Sequence, residues 1–127
     1  MSTAKTRICA TIEARMTSSR LPGKVLAPCV RKPMLELMIE RVRRIPSLNG
    51  IIVATTTNET DDPVVELAER LGIDHWRGSE EDVLIRVLDA AKAHDVDVIV
   101  ELTGDCPLID PDISEQVIQR YLETGVD

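Results

Sequence analysis

Ten consecutive residues, Arg15-Met16-Thr17-Ser18-Ser19-Arg20-Leu21-Pro22-Gly23-Lys24, carry three cations, three hydroxyls and a glycine, a mixture suited to gripping polyphosphate. Arg15 and Arg20 offer planar forks to phosphate oxygens and Lys24 a point charge. Ser18, Ser19 and Gly23 add hydroxyls and backbone N–H groups of the kind that line an anion-binding concavity. Three positive charges offset much of the self-repulsion of a triphosphate. The segment is not a Walker loop, because Gly23-Lys24 lacks the following Ser/Thr and the earlier Gly, and it is not a dinucleotide fingerprint. A solvated basic loop would have the same composition.

A second stretch, Thr103-Gly104-Asp105-Cys106-Pro107, follows a buried-looking apolar run. It places a carboxylate beside a residue that permits close backbone approach and ahead of one that fixes a turn. Mg²⁺ takes one or two protein carboxylates together with phosphate oxygens, so Asp105 facing a phosphate loop is half of such a site. A turn aspartate bonding its own backbone is the alternative. Cys106 reads as a buried small residue, and His75 and His94 lack ligand spacing. Thr55, in Ala54-Thr55-Thr56-Thr57, stands where a strand end could touch a nucleotide. Gly78-Ser79-Glu80-Glu81-Asp82-Val83-Leu84 combines a turn, a cap and three acids, and Asp82 and Arg86, one helical turn apart, are spaced to pair.

The elements that must position these residues alternate in the βα manner of a parallel sheet. Strands are expected at 8–12, 51–54, 73–77 and 96–102. Helices are expected at 34–44, from Asp61 or Asp62 to Gly72, from the Ser79/Asp82 cap to about His94, and after Asp110-Pro111. Pro33 suits the first turn of the 34–44 helix. Ile113, Val117, Ile118, Tyr121 and Leu122 recur at helical spacing in the last helix. This pattern predicts one doubly wound α/β unit, in which ligands bind beyond the carboxyl ends of the strands, where the loop 15–24 and the segment 103–107 both fall.

The chain has 127 residues, 43% of them apolar and 29% charged, enough for a single core without metals or disulfides. A net charge of −7 and only one Trp, one Tyr and no Phe argue against nucleic acid or an anionic membrane as partner. The odd, widely spaced Cys9, Cys29 and Cys106 suit reduced thiols, and the polar segment 1–7 lacks the apolar core of a leader. A cytoplasmic protein is the expectation.

Taken in order, the string from Glu13 to Leu26, Ile52-Val53-Ala54-Thr55, Asp61-Asp62-Pro63, Gly78 to Leu84 and Thr103 to Pro111 closely resemble the spore-coat polysaccharide branch of the cytidylyltransferase family. That family includes the CMP-Kdo and acylneuraminate cytidylyltransferases. The resemblance implies a nucleotide-diphospho-sugar transferase fold with a mainly parallel sheet, CTP as donor and Mg²⁺ as cofactor. It further implies transfer of CMP to an acidic or related sugar, with release of pyrophosphate. Arg15, Ser18, Arg20 and Lys24 match the triphosphate loop and Asp105 the metal-binding aspartate.

The expected nucleotide-binding set is Arg15, Ser18, Ser19, Arg20, Gly23, Lys24, Thr55, Asp82 and Asp105. Within it Arg15 and Lys24 are the catalytic charges and Asp105 the metal ligand. Glu13, Thr17, Arg31 and Glu101 stand where this branch usually has Gln, Gly, Gly and Arg. Family members continue for roughly as many residues again, so 1–127 is expected to be the nucleotide-binding part, without the sugar-binding half and with a homodimer or that missing half as partner. A non-catalytic nucleotide-binding or interaction module of the same ancestry is the alternative.

Overall fold

The computed structural model describes residues 5–126, so part of the polar opening segment 1–7 lies outside the described residues. Four parallel strands form the main sheet: β1 (Ile8–Glu13), β4 (Gly50–Thr56), β5 (Asp74–Gly78) and β6 (Val98–Thr103), in the order β5-β4-β1-β6. Parallel neighbours need crossovers, and four helices are present among the described residues: α1 (Met34–Val42), α2 (Asp62–Arg70), α3 (Val83–Ala93) and α4 (Pro111–Thr124). The expected doubly wound α/β unit is what the chain adopts, with strand and helix limits shifted by a few residues.

β1 and β4 are the inner strands, buried along nearly their whole length, which is why they read as unbroken apolar runs. Alternation divides them between two cores. Ala10, Ile12 and Val53 join Leu35, Met38, Ile39, Val64 and Leu67 on the side of α1 and α2. Cys9, Ile52 and Ala54 meet Ala90 of α3 on the other face. The β1–β4 register sets Thr11 beside Ile52 and Glu13 beside Ala54, while β6 sets Glu101 beside Thr11 and Thr103 beside Glu13. The carboxyl ends of β1 and β6 therefore lie side by side, with the loop 15–24 leaving one and the segment 103–107 leaving the other.

Several local readings are corrected by packing. Asp61 precedes α2 but does not cap it, because its carboxylate is used elsewhere. Asp82, not Ser79, caps α3 by accepting from the Ile85 N–H, and Ser79 Oγ instead accepts from the Asp82 N–H. Asp110 does cap α4, through the N–H groups of Asp112 and Ile113. Pro33 flanks α1 and closes a small hairpin of β2 (Pro28–Cys29) and β3 (Lys32–Pro33), which sequence reasoning missed. Its turn holds Val30 and Arg31 at φ of 49° and 69°, without the Asn-Gly signal that advertises such a turn. Cys106 is exposed rather than buried, and all three cysteines are free thiols.

The stripe on α4 is also not a core stripe. Ile118 is buried, whereas Ile113, Val117 and Tyr121 remain exposed along a groove of about 600 Å³ between α4 and β6, and Leu122 is exposed as well. No helix among the described residues is long and apolar enough to cross a membrane.

Candidate functional site

Beyond the ends of β1 and β6 lies a cleft of about 330 Å³. Its lining includes Glu13, Arg15, Ser18, Ser19, Arg20, Lys24, Arg86, Gly104 and Asp105. Arg15, Arg20, Lys24 and Arg86 outnumber the carboxylates Glu13 and Asp105 by four to two, inside a chain whose net charge is −7. The local field thus has the opposite sign to the whole protein, as a small polyanion would require.

The loop 15–24 is held in shape by groups far away in sequence. The Met16 N–H donates to Oδ1 of Asp61 at 2.7 Å, and the other carboxylate oxygen accepts from the Thr56 hydroxyl. Asp61 is fully enclosed, so a residue that reads as a cap is the anchor of the loop's entry. At the far end the Gly23 N–H returns to the Met16 carbonyl at 2.8 Å. Gly23 has φ of 75°, the left-handed region that glycine enters without a Cβ penalty. Between these points Leu21 N–H approaches Ser18 Oγ at 3.4 Å.

Glu80 supplies a second tether. Its carboxylate accepts from Asn58 Nδ2 and from Thr17 Oγ1, and it lies 3.8 Å from Arg15 Nη1. The Asn58 and Thr17 hydrogen bonds, helped by Arg15, hold its carboxyl below the usual range, so it remains an anion that orients the arginine.

Asp105 faces Lys24 across the mouth, 3.1 Å from its Nζ. That hydrogen bond, with a second from Thr103, lowers the aspartate's pKa and keeps it ionised. The preceding residue must be glycine for steric reasons: a Cβ on Gly104 would sit 2.7 Å from the Glu13 carbonyl oxygen and 3.0 Å from Ala14 Cβ. The Gly104 N–H in turn donates to that carbonyl at 2.8 Å, which fixes where Asp105 begins. Among the described residues no three His, Cys, Asp or Glu side chains gather as a metal cage. A lone, ionised Asp105 beside the basic loop 15–24 instead fits the Mg²⁺ habit of taking few protein ligands.

Beneath the cleft a polar layer links β1, β6 and α3. The Thr11 hydroxyl donates to Glu101, and the Glu13 carboxyl lies close enough to act on it electrostatically. Burial of its carboxyl end, together with the Glu13 charge, pushes Glu101 up to about 7, against the Thr11 hydrogen bond. The residue as a whole is open to solvent along the sheet edge, so screening tempers this effect. Arg86 is 2% exposed and donates to the Ser79 carbonyl at 2.8 Å. It does not pair with Asp82.

Of the residues expected to bind a nucleotide, Arg15, Ser18, Ser19, Arg20, Gly23, Lys24 and Asp105 come together at the cleft or in its loop. Two do not. Thr55 points to the α2 side of β4, is completely enclosed and leaves its Oγ1 without a partner. Asp82 is an exposed helix cap outside the lining. Arg86 was missed as a cleft residue because helical spacing offered Asp82 as its partner. Its position in the otherwise apolar run Val83-Leu84-Ile85-Arg86-Val87 was the available signal.

Residues 9–127 match the family described as Cytidylyltransferase. The chain is 38% identical to the spore coat polysaccharide biosynthesis protein SpsF of Bacillus subtilis, over 91% of this chain and 50% of that one. Its fold superposes on a cytidylyltransferase from Leptospira borgpetersenii with a TM-score of 0.90 and 39% identity, covering 94% of this chain and 50% of the other. A CMP:2-keto-3-deoxy-manno-octonic acid synthetase complexed with CTP gives 0.83 and 28%, over 95% and 49%. The chain spans about half the length of the curated relatives it matches.

Proposed function

Because the chain belongs to the cytidylyltransferase family, we propose that it carries the CTP-binding half of an enzyme that transfers CMP to an acidic or related sugar for surface polysaccharide synthesis. The observation that carries this reading is the convergence of Arg15, Arg20, Lys24 and Arg86 on one cleft with Asp105 at its lip. In the proposed reaction a sugar hydroxyl attacks the α-phosphorus of CTP. The new O–P bond forms as the bond to the bridging β-phosphate oxygen breaks, pyrophosphate leaves with the electron pair, and the hydroxyl proton is released to solvent.

Such a transfer asks a protein for position and charge rather than a covalent intermediate. Arg15 and Lys24 would offset charge building on the departing pyrophosphate, and Arg20 with Ser18 and Ser19 would hold the outer phosphates. Asp105 would hold Mg²⁺, whose chemistry is to neutralise phosphate charge. Lys24 is the counter-charge that keeps Asp105 ionised until a triphosphate and its cation compete for the pair. We place the enzyme in the cytoplasm, where its three thiols stay reduced.

Calorimetric titration of the chain with CTP, ATP and GTP, with and without Mg²⁺, tests the reading. CTP is expected to bind selectively. Lys24→Ala should weaken it by about 10- to 100-fold, the worth of one charge-assisted hydrogen bond. Asp105→Ala should abolish the Mg²⁺ dependence. No binding of any nucleotide, or a Lys24→Ala variant that binds CTP as well as the parent, sinks the proposal.

A further inference from the structure

Arg86 is out of keeping with a merely structural arginine. It lies in the first turns of α3, almost wholly enclosed, yet it lines the cleft. Its stem is packed under β5, where a Cβ on Gly78 would meet Arg86 Cγ at 3.2 Å. Nη1 reaches the Ser79 carbonyl, while Nε is enclosed with no hydrogen-bond partner. Among the described residues it forms no ion pair. Burial depresses its pKa and Arg15 adds repulsion, while Glu13, Asp61 and Glu101 support the charge from a distance rather than by contact.

A guanidinium has five N–H donors, and burying one against a single carbonyl leaves most of that capacity unused. Enclosing an unpaired cation is costly, and the cost falls when an anion arrives. The same cleft is lined by the three cations of the loop 15–24. We propose that Arg86 is a phosphate-contacting residue of this cleft, a fourth cation that meets the triphosphate from the α3 side. This rests on the reading of the cleft as a nucleotide site.

The position on α3 matters to the chemistry. The stem is clamped by packing, so the fork is already oriented and loses little freedom on binding, unlike the exposed Arg20. The same clamp makes lysine an imperfect substitute, since it retains the charge but not the planar fork.

Titration with CTP and with inorganic triphosphate, alongside thermal melts, tests the assignment in Arg86→Met and Arg86→Lys. The parent chain must first bind both ligands; if it binds neither, the nucleotide reading of the cleft fails. With parental binding established, Arg86→Met should weaken both ligands by tenfold or more and Arg86→Lys by a smaller factor. Cytidine, which lacks phosphate, serves as the probe of general damage and should be unaffected. Should the Met variant not fold, the Lys variant decides alone: weaker triphosphate binding at an unchanged melting temperature supports a direct contact. Unchanged triphosphate affinity in a folded Arg86 variant, or equal losses for cytidine and triphosphate, overturns it.

Discussion

Replacing Asp61 by alanine should both destabilise the chain and loosen the loop 15–24. The fully enclosed carboxylate accepts from the Met16 N–H and the Thr56 hydroxyl, and the substitution removes both acceptors. A buried donor stranded in this way costs about 1–3 kcal/mol. The Thr56 hydroxyl can rotate toward another acceptor, and Met16 is only half-buried, so both losses fall toward the lower end. Their sum is about 2–4 kcal/mol, a sizeable part of the ~5–15 kcal/mol that holds a domain together.

Asp61→Asn keeps an oxygen for Met16 and sets an amide opposite Thr56, so it should cost about 1 kcal/mol. Urea denaturation of the parent and both variants measures these differences directly. CTP titration should show weaker binding in the same order, since Met16 adjoins Arg15. A loss below about 0.5 kcal/mol in Asp61→Ala, or an Asn variant less stable than the Ala variant, would refute the anchoring role.

Two further perturbations probe the floor of the cleft. Gly104→Ala forces a Cβ against the backbone of β1, at 2.7 Å from the Glu13 oxygen, where no flexible side chain can give way. It should cost about 1–3 kcal/mol in urea denaturation and weaken Mg²⁺-dependent CTP binding, and parental stability would contradict the packing argument. Glu101 gives a pH signature. In the folded chain its carboxyl holds a proton to about pH 7, whereas unfolded it releases it near 4.5. The native state then binds more protons in that window, so stability falls as pH rises through it and the loss is complete above pH 7. Glu101→Gln should flatten this slope and be the more stable protein on the alkaline side. Equal slopes for variant and parent, read from urea midpoints across the window, would remove Glu101 from the account.

Much of the fold is legible in the chain because its signals are local. The apolar runs of β1 and β4, the proline and aspartate at the start of α4, and Gly72 after α2 each act within a few residues. The loop 15–24 was visible for the same reason: its cations and hydroxyls are consecutive. The hairpin around Val30 and Arg31 was not, because its two left-handed residues have side chains that do not advertise them.

Composition and order thus determined by themselves the α/β class, the strand-end placement of Arg15, Lys24 and Asp105, and the family resemblance. What only the tertiary structure decided is which carboxylate does which work. Asp61 and Asp82 look like interchangeable helix caps, yet Asp61 is enclosed and meets Met16, 45 positions away, while Asp82 stays at its helix. Arg86 looks like a partner for Asp82 until α3 packs and buries it under the cleft. Thr55 looks like a ligand until the β4 pleat turns it inward. The physical reason is the same in each case. A side chain's hydrogen-bond partner is set by burial and by the face on which its element packs, and both depend on contacts between residues far apart in the chain.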